Sequence, residues 1–197
     1  MKRLPSFTLI LLLAVLLLAV IFLVLDFKAA FSATTDNSQV TTISSGEEVT
    51  ESPPLVIFVQ APGNLAEPLR RALFSLAGTL APFSTMALTE TPASDPGSAA
   101  LVVVVDRHTY IWTPVYATAH LSVRAAFASD GRVDWNQLGE IDSIMQASPA
   151  FRMTGDLEIR DRSLGLISQP GYRSHIARQI SERVVAAFDT ALTSSTP

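Results

Sequence analysis

Apolar side chains fall along this chain in several distinct patterns, and each predicts a different element. Phe7–Leu25 is an apolar run in which Thr8 is the one polar residue, with no charge until Asp26. Residues 29–54, AAFSATTDNSQVTTISSGEEVTESPP, are rich in Ser, Thr and acids and poor in large apolar groups. LVIFV at 55–59 and LVVVV at 101–105 are unbroken apolar stretches, too short for helices and rich in branched side chains. Such runs predict strands covered on both faces, side by side near the centre of a sheet.

VYATAHLSVRAAF at 115–127 alternates strictly. Val115, Ala117, Ala119, Leu121, Val123, Ala125 and Phe127 share its core face, and Tyr116, Thr118, His120, Ser122 and Arg124 share the other. A three-residue loop of Ser129, Asp130 and Gly131 would oppose Phe127 with Val133 and Ala125 with Trp135, keeping large groups on the core side. DLEIRDRSLGLIS, residues 156–168, reads as one or two strands, and FSTMALT, residues 83–89, as another.

Helical spacing occurs twice with clarity. Leu65, Leu69, Leu73, Leu76 and Leu80 predict an amphipathic helix over 65–80, opened by an Asn64–Glu67 capping box with Pro68 in its first turn and stopped by Pro82. Ile176, Ile180, Val184, Ala187 and Ala191, with Phe188 beside them, predict a helix over 174–192, entered through a Pro170–Gly171 turn and capped by Ser174. NQLGEIDSIMQAS, residues 136–148, is weakly helical. The expected fold class is α+β: a two-layer sandwich, a mostly antiparallel sheet with two long helices on one face, behind a single N-terminal transmembrane helix.

That last element follows from the first apolar run. At about 1.5 Å per residue, its helix is roughly 28 Å long, close to the ~30 Å hydrocarbon core of a bilayer. It is long for a cleaved signal peptide, although Ala30 and Ser32 have the spacing a signal peptidase uses. Lys2 and Arg3 before the run predict an N-terminus inside and the remainder outside. The expected organisation is therefore a membrane anchor over 1–28, a disordered stalk over 29–54, an extracytoplasmic domain over 55–192 and a frayed tail over 193–197. If the run is cleaved, the domain is secreted.

Composition removes several function classes. The chain has no cysteine, which excludes disulfides, thiolate metal sites, thiol nucleophiles and bacterial lipidation. Its formal charge of −4 suggests no nucleic-acid surface. Lysine occurs only at Lys2 and Lys28, so residues 29–197 cannot supply a P-loop amine or a Schiff base. Neither G-x-S-x-G nor G-x-G-x-x-G occurs, and His108, His120 and His175 lack metal-ligand spacing. No cofactor is expected.

Two groups of residues remain. If the chain runs through Pro114 without changing face, Tyr110, Trp112, Tyr116, His120 and Arg124, joined by His108, form a polar-aromatic stripe of the kind found at recognition surfaces. Asp106, His108 and His120 are the alternative, a hydrolase-like or ligand-processing site if folding brings them together. The leading expectation is a membrane-anchored, non-catalytic interaction or accessory domain whose partners are the bilayer, through residues 7–25, and a protein or envelope polymer. A single-span subunit of a larger membrane complex is the third possibility. The order of anchor, linker and small α+β domain resembles that of bacterial envelope-assembly and accessory proteins, without any residue motif to carry a family assignment.

Overall fold

The structure, a computed structural model, describes residues 6–43, 53–78, 83, 85–89, 97–129 and 152–194. In chain order they form helix α1 (Ser6–Val24), strand β1 (Lys28–Ile43), strand β2 (Leu55–Gln60), a 3-10 turn (Gly63–Leu65), helix α2 (Ala66–Ala77), and strands β3 (Met86–Thr89), β4 (Ala99–Thr113), β5 (Tyr116–Ala128) and β6 (Arg152–Ile167). Helix α3 (Gln169–Ser194) follows.

The strands make one six-stranded sheet in the order β1-β6-β5-β4-β2-β3. β1, β6, β5 and β4 are antiparallel neighbours, whereas β4, β2 and β3 are parallel. Parallel neighbours need a crossover, which α2 supplies between β2 and β3. The two unbroken apolar runs sit side by side at this parallel centre, Leu55 opposite Ala99 through Gln60 opposite Val104. Both faces of β4 are covered: Leu101, Val103 and Val105 belong to the main core, and Val102 and Val104 to a second buried cluster behind the sheet with Phe58 and Ala126.

α2 and α3 pack together over the main core. Leu69, Leu73 and Ala77 of α2 and Tyr172, Ile176, Ile180, Val184 and Phe188 of α3 are buried in it. Phe188 meets Phe127 edge to face at 4.4 Å between ring centroids, an arrangement worth about 0.5–1.5 kcal/mol beyond burial. The buried stripe of α3 therefore runs through Phe188 rather than Ala187.

Several expectations are corrected. The sheet is mixed, because β2, β3 and β4 run in parallel, and there are three helices rather than two long ones. Among the described residues no helix is long and apolar enough to cross a membrane. Phe22, in the last turn of α1, is buried and meets Phe27 edge to face at 5.1 Å.

Residues 28–43, expected in or beside a stalk, are an edge strand paired with β6 from Lys28 opposite Ile167 to Ile43 opposite Arg152. The hairpin expected at Ser129–Gly131 finds no free edge, since Phe127 already pairs with Leu101 on one side and Met153 on the other. Val133, Trp135 and the weak helix over 136–148 lie outside the described residues. α2 ends at Ala77 and has no side-chain cap; Glu67 pairs with Arg71 at 2.9 Å instead of closing a capping box. α3 begins at Gln169, and Ser168 caps it by accepting the Gly171 amide at 3.0 Å. Ser174 donates to Asp26 at 2.7 Å.

Candidate functional site

Two local features distribute the residues singled out in the sequence. Thr113 pairs with Tyr116, so Pro114 and Val115 form a two-residue turn and the chain reverses. Trp112 then stands opposite Ala117 and Tyr110 opposite Ala119, on the face that α3 covers. Tyr116, His120 and Arg124 remain on the outer face. A register slip between Val105 and Arg107 changes the parity of β4, which lets His108, Tyr110 and Trp112 follow Val103 and Val105 onto the helix-covered face. Asp106, at the slip, forms an ion pair with Arg124.

The expected stripe is thus split between two faces. His108 and His120 are separated by the sheet, and Asp106, His108 and His120 do not form one site. Trp112 donates from Nε1 to the Ile167 carbonyl at 3.1 Å, tying β4 to the end of β6 across the small Ala117.

On the outer face, a row crosses the sheet from Phe31 to Leu164 to Tyr116 to Thr113. Phe31 is 91% exposed, and Leu164, Leu166, Val115 and Ile111 are exposed around it. The Arg162 guanidinium lies 5.7 Å from the Tyr116 ring centroid, in reach of a cation–π contact. This half of the outer face lies at the end of the sheet where α1 leaves.

On the opposite face, Thr34, Asp161, Ala119 and Tyr110 form a row beneath the first turns of α3. The Asp161 side chain is fully buried. It accepts hydrogen bonds from Thr34 Oγ1 at 2.7 Å and Ser163 Oγ at 3.1 Å, and contacts His175 Nε2 at 2.9 Å. Ser32 continues the chain to Ser163 at 2.6 Å. Burial raises the Asp161 pKa, but the His175 and Thr34 bonds, the His175 charge and the nearby Tyr172 hydroxyl outweigh it, so the carboxyl titrates below its ordinary value.

Tyr172 hydroxyl feels the Asp161 charge without reaching hydrogen-bond geometry to it. Burial first, then that charge, raises the phenol above its ordinary pKa. Lys28, at the start of β1, is lowered by burial, partly countered by Asp161.

A carboxylate that orients a histidine invites comparison with a catalytic triad, in which the histidine also takes a proton from a nucleophile. In this cluster Ser163 gives its hydrogen bond to Asp161, so no serine–histidine link exists. Asp161 instead acts as a hub joining β1, β6 and α3. Its place was readable in DLEIRDRS, where Asp161 and Ser163 fall in phase with Leu157 and Ile159 and out of phase with Asp156, Glu158, Arg160 and Arg162.

Beside the hub, over Ala119, lies a cavity of about 240 Å³, lined by Pro62–Leu65, His108, Tyr110, Ala119, Leu121, Arg173 and Ile176. The Tyr110 ring stacks on Tyr172 at 5.7 Å and forms one wall. Among the described residues, no group of three or more His, Asp or Glu has an arrangement that could hold a metal ion.

No protein-family model matches the chain, and no curated protein matches it in sequence. Among solved structures, a PelC variant dodecamer from Paraburkholderia phytofirmans is similar at TM-score 0.38 and 10% identity, over 78% of this chain and 98% of that one. A second PelC dodecamer structure from the same organism gives 0.36 and 11%, over 77% and 97%. Hypothetical protein CT253 from Chlamydia trachomatis gives 0.37 and 11%, over 74% and 100%. Similarity at these scores carries no functional argument.

Proposed function

We propose that this chain is a membrane-bound, non-catalytic accessory domain that docks a partner on the α1-proximal half of its sheet's outer face. The observation that supports it is the apolar surface left uncovered. The large side chains of α1 from Leu9 to Val24, Ile21 and Phe22 apart, are 47–67% exposed. An apolar surface of that extent far exceeds the few hundred Å² that monomeric soluble proteins leave in water. The hydrocarbon phase of a bilayer removes it from water without requiring α1 to cross. Beside it, Phe31, Leu164, Leu166 and Tyr116 offer an apolar-aromatic patch with Arg162 among them, the composition of a recognition surface for a protein or an envelope polymer.

Flotation with phospholipid vesicles tests the first half. The full chain should rise with the vesicles, and a Leu12→Asp, Leu16→Asp double variant should stay in the dense fraction. A wild-type chain that remains soluble and monomeric would remove the membrane from the proposal.

The second half has its own experiment. Phe31→Ser with Leu164→Ser should reduce partner recovery from native membranes at least tenfold while leaving the unfolding midpoint unchanged, because neither side chain is buried. Undiminished recovery would place the docking surface elsewhere.

A further inference from the structure

We infer that the cavity over Ala119 is a binding site for a small organic carboxylate with an apolar body. Its size sets the scale: about 240 Å³ lies below the ~300–1,000 Å³ of drug-sized sites, so a molecule of benzoate's dimensions suits it. Its lining is divided. Leu65, Ala119, Leu121, Ile176 and the Tyr110 ring are apolar walls, and Arg173 and His108 are the basic residues of the lining.

Arg173 makes no ion pair and no hydrogen bond among the described residues, and the acids nearest α3 on β1 and β6 are engaged elsewhere. Asp161 is held by His175 and Thr34, and Asp36 by Arg183 at 3.3 Å. Asp161 is turned toward β1 by Thr34 and does not line the cavity. A guanidinium without a counter-charge over an apolar hollow is complementary to an anion carrying an apolar group, since the fork of donors matches a carboxylate.

The Tyr110 ring, stacked on Tyr172 at 5.7 Å, fixes a flat apolar wall on one side. Ala119 makes the space. In the row Thr34–Asp161–Ala119–Tyr110 it is the smallest side chain, and a larger residue there would fill the floor. This site lies on the face opposite the proposed docking patch and does not depend on it.

Benzoate and its neutral counterpart benzamide are the probes, titrated into the ¹⁵N-labelled full chain in phospholipid nanodiscs. Benzoate should shift the amides of Gly63, Asn64, Ala119 and Arg173 in a saturable manner, and benzamide should bind at least tenfold more weakly. Arg173→Gln should weaken benzoate about tenfold, Arg173→Lys less, and Ala119→Leu should abolish the shifts; His120→Gln, on the outer face, should leave them as they are. Dispersed, folded spectra of each variant establish that these losses are local. Equal binding of benzamide, or unchanged benzoate binding by Arg173→Gln, would overturn the anion assignment. The absence of saturable shifts at those amides in the wild-type chain would overturn the site itself.

Discussion

Replacing Asp161 with alanine should destabilise the fold by about 3–5 kcal/mol, because it removes a buried carboxylate that three side chains share as acceptor. Asp161 is the acceptor on which Thr34, Ser163 and His175 converge, from β1, β6 and α3 respectively. Its loss takes from Thr34 and His175 the acceptor they use and leaves Ser163 with Ser32 alone, so the desolvation cost is no longer compensated. Asp161→Asn keeps one acceptor oxygen and the volume, so it should cost less, about 1–3 kcal/mol. Urea unfolding at neutral pH measures both, and an alanine variant within about 1 kcal/mol of the wild type would show that the hub holds nothing together.

The same residue gives the fold a pH dependence of defined sign. A carboxyl whose folded pKa lies below its unfolded value binds fewer protons in the folded state, so folding is favoured while it is ionised. That contribution is complete above the unfolded value of about 3.9 and is lost as pH falls through the lower folded value. Stability should therefore drop on acidification in this window, and Asp161→Asn should flatten that part of the profile.

Gly171→Ala should be the second severe change. A Cβ built on Gly171 lies 2.7 Å from the Phe27 carbonyl carbon, with the Phe27 oxygen nearer still, and 2.8 Å from Ser168 Oγ. Two of these atoms are backbone and cannot swing aside. Ser168 is the clasp at this point: its Oγ accepts the Phe27 amide at 2.9 Å and the Gly171 amide at 3.0 Å, while its own amide donates to the Phe27 carbonyl at 3.0 Å. A methyl group there must push Phe27 off the first turn of α3 or deform that turn. Overpacking of this kind costs about 1–3 kcal/mol. Limited proteolysis should then cut near Leu25–Lys28 at least tenfold faster than in the wild type. Unchanged cleavage and unchanged stability would mean that Phe27 is not held against α3.

Much of the sheet was legible from pattern alone. LVIFV and LVVVV announced strands buried on both faces because parallel central strands have no wet side, and the alternation in β5 assigned Ala117, Ala119, Leu121 and Val123 to the core correctly. Pro114 marked a break that an edge, a bulge or a turn would satisfy, but without the Asn-Gly or Asp-Gly pair that marks most two-residue turns the sequence did not select the hairpin. The stripe held only if the chain kept its face through Pro114, and the turn there puts Tyr110 and Trp112 on the helix-covered face instead.

β1 was hidden for a different reason. Its inward residues Ser32, Thr34 and Asp36 meet Ser163, Asp161 and Arg183 rather than an apolar core, so its sequence looks like linker although its backbone is fully paired with β6. The hub was half legible. The phase of Asp161 along β6 is visible in the sequence, but its partners lie 14 residues away at His175 and 127 away at Thr34, and only the sheet order brings them together.

The pairing of β1 also changes how far this protein can reach. A flexible tether over 29–54 would have let the domain wander over roughly 28 Å and turn any side to its surroundings. With only Leu25–Phe27 between α1 and β1, and Phe27 clasped at Ser168, there is no slack in that joint. The helix behaves as a handle fixed to the sheet: whatever grips α1 also sets the heading of the domain, and a partner meets a surface already aimed instead of one that must be found by tumbling.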